Sequence, residues 1–478
     1  MFRKFASVLA LSVFAVPSLA QAQTMTNLLH AAPEGADITL QLTDGTVLGQ
    51  SANDGSHWYK LTPDINGSYQ KGTWSRLANL ASGYQPYAMA EAVLADGRVI
   101  IEGGEYNPGS VFSLTNLGAI YDPRADTWTP VEPPRHYPYI GDSSSLVLPD
   151  GRYLLSDKLN EQMAVLNPKT MKWKNLPSVG KNDFNSEETW TLMPDGTVLV
   201  EDVKDGPKTE SYDPATGNWT QLADIPVKLN SPKCCKVIDF GNGKKYHPPG
   251  EIGPAILMPD GSVFALGSIP KGQTTAHTAT YRGGVWTQGP DIPNRDDIGD
   301  SFASLLPNGR VLFEGISGKL YEYDPTTAHI TITSFNAAGN STMVLPSGEI
   351  LIGGQAVYAS PGTPDPSWAP AITNCPTSLT RGTSFQIAGK QFNGLSQANS
   401  FGDELQTFTN YPLVRITNTA TGHVFYARTH DHSSMGVATG NATITTQVDV
   451  PSSMETGAGT LVVVANGIAS TPVNVTVN

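Results

Sequence analysis

The chain of 478 residues is short of cysteine, short of charge, and has no apolar run after its first 22 residues long enough to span a bilayer. Its three cysteines, Cys234, Cys235 and Cys375, are too few for a disulfide framework. A Cys234–Cys235 bridge and a pairing with Cys375 both stay open. No C-x-x-C, zinc spacing, Walker loop, G-x-S-x-G or H-E-x-x-H occurs, which removes the commonest catalytic and metal motifs. Charged residues make up 15%, with 30 Lys and Arg against 43 Asp and Glu. So acidic a surface disfavours nucleic acid and anionic membranes, and no integral membrane association is expected.

The first 22 residues read as a signal peptide. Arg3 and Lys4 form a basic start, Phe5–Val16 an apolar stretch, and Ala20-Gln-Ala22 a small-residue cleavage site. Export to the periplasm or beyond is the expectation. The remaining chain carries 28 basic and 43 acidic residues, a net charge of −15. No Cys follows the cleavage site, so no lipid anchor is expected.

Turn-forming residues are plentiful, with 47 Gly and 36 Pro. They are organised by a motif that recurs seven times: TDGTVL (43–48), ADGRVI (95–100), PDGRYL (149–154), PDGTVL (194–199), PDGSVF (259–264), PNGRVL (307–312) and PSGEIL (346–351). Each copy follows a short apolar run, so the unit is strand, tight turn, strand. Asp-Gly and Asn-Gly supply the positive φ angles of two-residue hairpin turns. A second half follows, in which Tyr-Asp-Pro or a relative precedes a Trp: Tyr121 and Trp128, Leu166 and Trp173, Tyr212 and Trp219, Tyr281 and Trp286. Trp74 ends the first unit, and Tyr323 opens a turn with no Trp after it. Four strands per unit and seven units predict a β-propeller over residues 23–368, with each Trp packing the outer strand of a blade. The last unit lacks a fourth strand. Thr24–Pro33 resembles one and would close the ring.

From about residue 369 to 478 the Asp-Gly period stops, and short alternating runs fit an immunoglobulin-like sandwich. The Asp-Gly, Tyr-Asp-Pro and Trp blades resemble kelch repeats. Seven of them before an early-set immunoglobulin-like domain are similar to the galactose oxidase and glyoxal oxidase superfamily. The segments 389–394, 410–415 and 428–435 resemble a group of exported kelch proteins within it. That resemblance implies a copper held by two His and two Tyr, one Tyr cross-linked to a Cys. The stretch comparable to the cross-linked Cys, Tyr87–Leu94, has no Cys, and Asn336–Leu345 has neither Tyr nor His where the family has a Tyr-His pair. Thr429-His430 matches the remaining ligand, a His on a loop of the C-terminal domain that reaches the propeller axis. A Cys–Tyr copper centre is therefore not expected.

Acidic residues stand just before successive inner strands: Glu91, Asp142, Glu187, Glu188, Glu251 and Asp300, with Asn340 in the last blade. Equivalent offsets put them on one rim of the central channel. They read as strand-end hydrogen-bond acceptors, as a site for Ca²⁺, Mg²⁺ or Mn²⁺, or as a polar ligand site. Metal candidates are Asp142, Glu188, Glu251, Asp300 and His430; His430 or His432 would also admit zinc or iron. Catalytic candidates are Glu188, Glu251, Asp300 and His430. Aromatics near the acids, Tyr84, Tyr87, Tyr137, Tyr139 and Trp190, suit either blade packing or a sugar face. The leading expectation is binding of a polysaccharide, another glycan or an extracellular protein at the channel mouth. The alternative is a metalloenzyme without a copper radical, or a hydrolase or lyase, using an axial carboxylate cluster with His430; a carbohydrate or aldehyde oxidase ranks behind both.

Overall fold

The computed structural model describes residues 22–232, 237–239, 245–337 and 341–478. The signal-peptide reading, Cys234, Cys235 and Asn340 fall outside them, except for Ala22. The chain is all-β: a seven-bladed propeller followed by a curled β-sheet domain of sandwich-like form.

Each of the first six blades is an antiparallel four-stranded meander, as in Thr39–Gln41, Val47–Gln50, Trp58–Thr62 and Thr73–Arg76. The inner strands of blades one to seven begin at Thr39, Ala90, Ser145, Thr189, Ala255, Ala303 and Thr342. They contact one another in that order, and the seventh contacts the first. The seventh blade has three strands of its own, and Thr24–Asn27 supplies the fourth by pairing antiparallel with Ala356–Ala359. The ring is thus shut by hydrogen bonds between distant parts of the chain, and the third strand of the seventh blade is not left as an open edge.

The repeated turns differ from the two-residue expectation. In the first, Gly45 N donates to Leu42 O at 3.1 Å and Leu42 N to Thr46 O at 2.8 Å, which makes a three-residue loop. Only the glycine takes a positive φ, from 79° to 87° in the seven copies. Asp44 instead uses its carboxylate, accepting from Thr46 N at 3.0 Å. The motif therefore encodes a turn closed by a glycine bulge, with Asp bonding two residues on.

The Tyr and Trp of each second half are cross-strand partners, as in Tyr121 with Trp128 and Tyr212 with Trp219. Their ring centroids lie 4.9 and 5.2 Å apart. The pair covers the outer strand, which otherwise shows mostly exposed residues, and adds about 0.5–1.5 kcal/mol beyond area burial.

The C-terminal sheet runs 371–374, 384–390, 444–449, 424–430, 413–418, 457–465, 473–477 and 378–379 in spatial order. Its own core includes Ile387, Phe392, Val414, Ile416, Val448 and Val463. Other residues, including Tyr411, Leu413, Met435 and Val464, join the core of the first three blades. The domain sits on the face bearing the Asp-Gly turns: Arg428 Nη2 donates to Asp96 O at 2.6 Å and His432 N to Ala95 O at 3.1 Å.

Candidate functional site

The channel along the propeller axis is filled by the segment from Gln397 to Tyr411. Gln397 accepts from Leu192 N at 2.9 Å in blade four. Asn399-Ser400 adds a fifth strand to blade six, and the Asn399 side chain accepts from Ser304 Oγ at 2.7 Å and from Val344 N at 3.1 Å. Thr407 Oγ1 donates to Thr342 O at 3.1 Å, and the Tyr411 hydroxyl donates to Gln41 O. This run is polar because it meets inner strand edges whose backbone groups would otherwise be buried unpaired. Its only charged residues, Asp403 and Glu404, are carried toward the rim opposite the Asp-Gly turns, where the inner strands begin.

On that rim a buried lysine gathers carboxylates from three parts of the fold. Lys158, in the loop after the second strand of blade three, is 2% exposed. Its Nζ contacts Asp142 Oδ2 and, at 2.7 Å, Glu187 Oε1. One oxygen each of Asp142, Glu187 and Asp403 lie within 4.8 Å of one another. Tyr246 donates to Glu187 Oε1 at 3.1 Å and also contacts Ser186 Oγ. Glu187 and Asp300 both adopt left-handed backbone, with φ of 59° and 49°. Such conformations cost of order 1–3 kcal/mol in a non-glycine residue, so the surrounding contacts hold these acids in place.

Electrostatics set the protonation of this group. Burial pushes the Lys158 ammonium down, but Glu187, Tyr246, Asp403 and Glu105 outweigh it and hold the lysine charged, well above its ordinary value. Burial raises Glu187; Lys158 opposes that shift and the charge of Asp403 reinforces it. Asp403 is also buried, but hydrogen bonds with Glu404 and Glu187, together with Lys158, leave it below the ordinary range. Burial and the charge of Asp403 thus push the proton affinity of Glu187 up, while hydrogen bonds and Lys158 hold that of Asp403 down. Glu404 is raised by burial and by Asp403. Asp300 is exposed at the channel mouth, yet enclosure by protein and the charge of Asp403 raise its carboxyl. Glu251, half-buried beside it, is raised by burial, Glu187 and Asp300.

Of the residues singled out in the sequence, Asp142, Glu187, Glu251 and Asp300 are brought together here. Glu91 is fully buried, and burial and Asp37 raise it far above the ordinary carboxylate range. Glu188 is a correction. Just before the strand Thr189–Leu192 the backbone turns left-handed at Glu187, so Glu187 reaches the axis while Glu188 turns into blade four and pairs with Lys181 at 2.9 Å. Trp190 is 2% exposed in the core around blades three to five and faces no ligand space. Tyr84 and Tyr137 are core residues as well. Tyr87 and Tyr139 are half-buried, and the Tyr87 hydroxyl donates to Ser51 O at 3.2 Å.

His430 and His432 do not join the acids. They lie at the Asp-Gly-turn end of the propeller, because the segment that enters the channel is 397–411. His430 contacts Asp449 at 3.1 Å and Asp431 at 2.8 Å within the C-terminal domain. His432 stacks on Tyr411 with centroids 6.2 Å apart, and burial lowers it to about 3, so it is neutral. Lys158, Asp403, Glu404 and Tyr246 escaped the sequence reading. Two signals pointed to the first three: Ser156-Asp157-Lys158 stands where blade two has Glu102-Gly103-Gly104, and Asp403-Glu404 is a lone acidic pair in an otherwise uncharged run.

Beside the acids a cavity of about 290 Å³ opens between Asp37, Asp300, Phe302, Glu314, Phe401 and Leu405. Its wall combines carboxylates with aromatic and aliphatic surface.

No family model matches the chain, and no curated protein matches it in sequence. Among solved structures it is similar to a fungal alcohol oxidase of the AA5 family in complex with copper. That match has 13% identity and a TM-score of 0.52 over 96% of this chain and 100% of the other. A catalytically inactive virginiamycin B lyase from Staphylococcus aureus with quinupristin matches at 10% identity and TM-score 0.48, over 70% of this chain and 98% of that one. The extracellular domain of a putative one-component system from B. thetaiotaomicron matches at 11% and 0.47, over 94% and 56%. The residues at the axial rim do not fit copper. The group able to surround an ion there is three carboxylates with an ammonium among them, and it contains no imidazole or thiolate among the described residues. What the chain shares with the alcohol oxidase is the galactose oxidase-like propeller fold.

Proposed function

We propose that this protein is an exported binding protein of kelch type with an immunoglobulin-like C-terminal domain. Its ligand is a carbohydrate or a hydroxyl-rich cell-surface polymer. The ligand enters the acidic mouth of the channel and is held by Asp300 and Glu251. The carrying observation is Lys158 buried between Asp142 and Glu187 beneath an exposed Asp300. A preformed floor of fixed charge under an open carboxylate rim suits an array of hydroxyl donors, and the adjoining Phe302 and Phe401 offer apolar contact. A glycan array and a cell-wall pull-down with the mature protein test the reading. Asp300→Asn should weaken whatever is captured; no binder at high micromolar concentration would sink it.

One observation favours a second reading, acid–base catalysis by a hydrolase or lyase. Glu187 and Asp403 touch, yet their environments push their proton affinities apart, as a general acid and a general base require. In that case Glu187→Gln removes turnover on a captured glycan and spares its binding. Capture without turnover in the wild type leaves the binding role.

A further inference from the structure

Blade four contains a second buried acidic group, separate from the axial rim. Asp183 and Glu188 precede its inner strand, Asp202 follows its second strand, and Glu210 lies on its third. One carboxylate oxygen from each of the four lies within 4.8 Å of the others, and all four residues are buried. Lys181 donates to Glu188 at 2.9 and 3.0 Å and to Glu210 at 3.1 Å, with its side chain fully buried and its ammonium 4.5 Å from the centre of the Trp219 ring. One ammonium cannot offset four carboxylates.

The arrangement has a feature that a closed ion-pair network lacks. Asp183 is 4% exposed, and neither of its oxygens meets an N–H or hydroxyl donor. Oδ1 of Asp202, a residue 2% exposed, is likewise without a donor. The Asp183 carboxylate is turned toward that of Glu188. Two carboxylates that face each other in the interior need a proton or a cation between them.

We propose that Asp183, Glu188, Asp202 and Glu210 form a site in blade four for a hard divalent cation, Ca²⁺, Mg²⁺ or Mn²⁺. An all-oxygen donor set selects this class over zinc or copper. Lys181 holds Glu188 and Glu210 in place, and a divalent ion beside it leaves the group one charge short of neutral. The route in is the edge where Asn182 donates to Asp202 and to the partly exposed Asp205, both at 3.2 Å. By tying the inner strand to the second and third strands, the ion would lock the blade across which Lys181 now stretches.

The test uses the chelator-stripped mature protein. Calorimetric titration with Ca²⁺, Mg²⁺ and Mn²⁺ should show one equivalent bound by at least one of them. Tb³⁺ in the same site should luminesce on tryptophan excitation, and Trp219→Phe should remove the emission while Ca²⁺, Mg²⁺ or Mn²⁺ binding persists. Asp183→Asn should weaken binding by more than about tenfold, whereas Asp403→Asn at the axis should leave it unchanged. If Asp183→Asn does not fold, Asp202→Asn supplies the same comparison. The proposal is overturned if no ion binds, if binding survives both substitutions, if it is lost in Asp403→Asn instead, or if terbium emission is undiminished in Trp219→Phe.

Discussion

Lys158 and Glu187 come from neighbouring blades and meet at 2.7 Å, the lysine 2% and the glutamate 7% exposed. The contact joins the third blade to the fourth at the axis, and Asp142 on the same ammonium completes a buried bridge. A buried pair of this kind is weak evidence for net stability, but removing one partner is costly.

Lys158→Met should therefore destabilise the protein by about 3–5 kcal/mol near neutral pH, measured by urea denaturation. The loss should shrink in acid, where protonation removes the charge that the lysine offsets. An unchanged midpoint at neutral pH would mean that the acids are already neutral without the lysine.

Asp37 gives a second pH-dependent test. Burial raises its carboxyl from 3.8 to about 6. Between those values the folded protein keeps a proton that the unfolded chain releases, so stability falls as pH rises through the window and stays lower above it. Asp37→Asn should flatten that decline, gaining at most about 3 kcal/mol at pH 7 and nothing at pH 3. Thermal melts across pH 3–8 decide it, and parallel curves for the two proteins would count against the assignment.

Two turn glycines separate backbone strain from domain packing. Gly97 and Gly261 have φ of 83° and 80°. A Cβ on Gly97 would lie 2.8 Å from Thr43 Oγ1 and 3.3 Å from Thr429 O, whereas one on Gly261 meets nothing within 4 Å. Gly261→Ala should cost about 1 kcal/mol, and Gly97→Ala clearly more because it also wedges the propeller against the C-terminal domain. Equal losses in chemical denaturation would show that the interface yields.

Removal of residues 23–27 should open the seventh blade. Ala356–Ala359 would lose its partner strand and expose an unpaired edge. A lower melting temperature, together with concentration-dependent light scattering, is the expected outcome; a melt identical to the parent would mean that the ring holds without the strand.

The architecture was legible in the sequence because its signals are local. Asp44-Gly45 and its six relatives each fix a turn within a few residues, and Tyr121 finds Trp128 across a single hairpin. Seven such units admit few arrangements other than a ring, and the unpartnered seventh blade called for the strand Thr24–Asn27 found there. The acids before the inner strands were visible as a group, and Asp142, Glu187, Glu251 and Asp300 do converge.

Tertiary structure decided which side chains share the site. Glu187 and Glu188 are neighbours in the chain, yet one faces the axis and the other Lys181, a difference made at the strand entry where Glu187 takes a left-handed backbone. Lys158 reaches Glu187 only because blade three lies beside blade four. Asp403 reaches them only because 397–411, rather than the loop bearing His430, threads the channel. The sequence determined the repeating unit, since turn chemistry acts between residues close along the chain. Only the closed ring and the docked domain could fix the charge constellation, since it depends on residues that approach through the packing of separate blades.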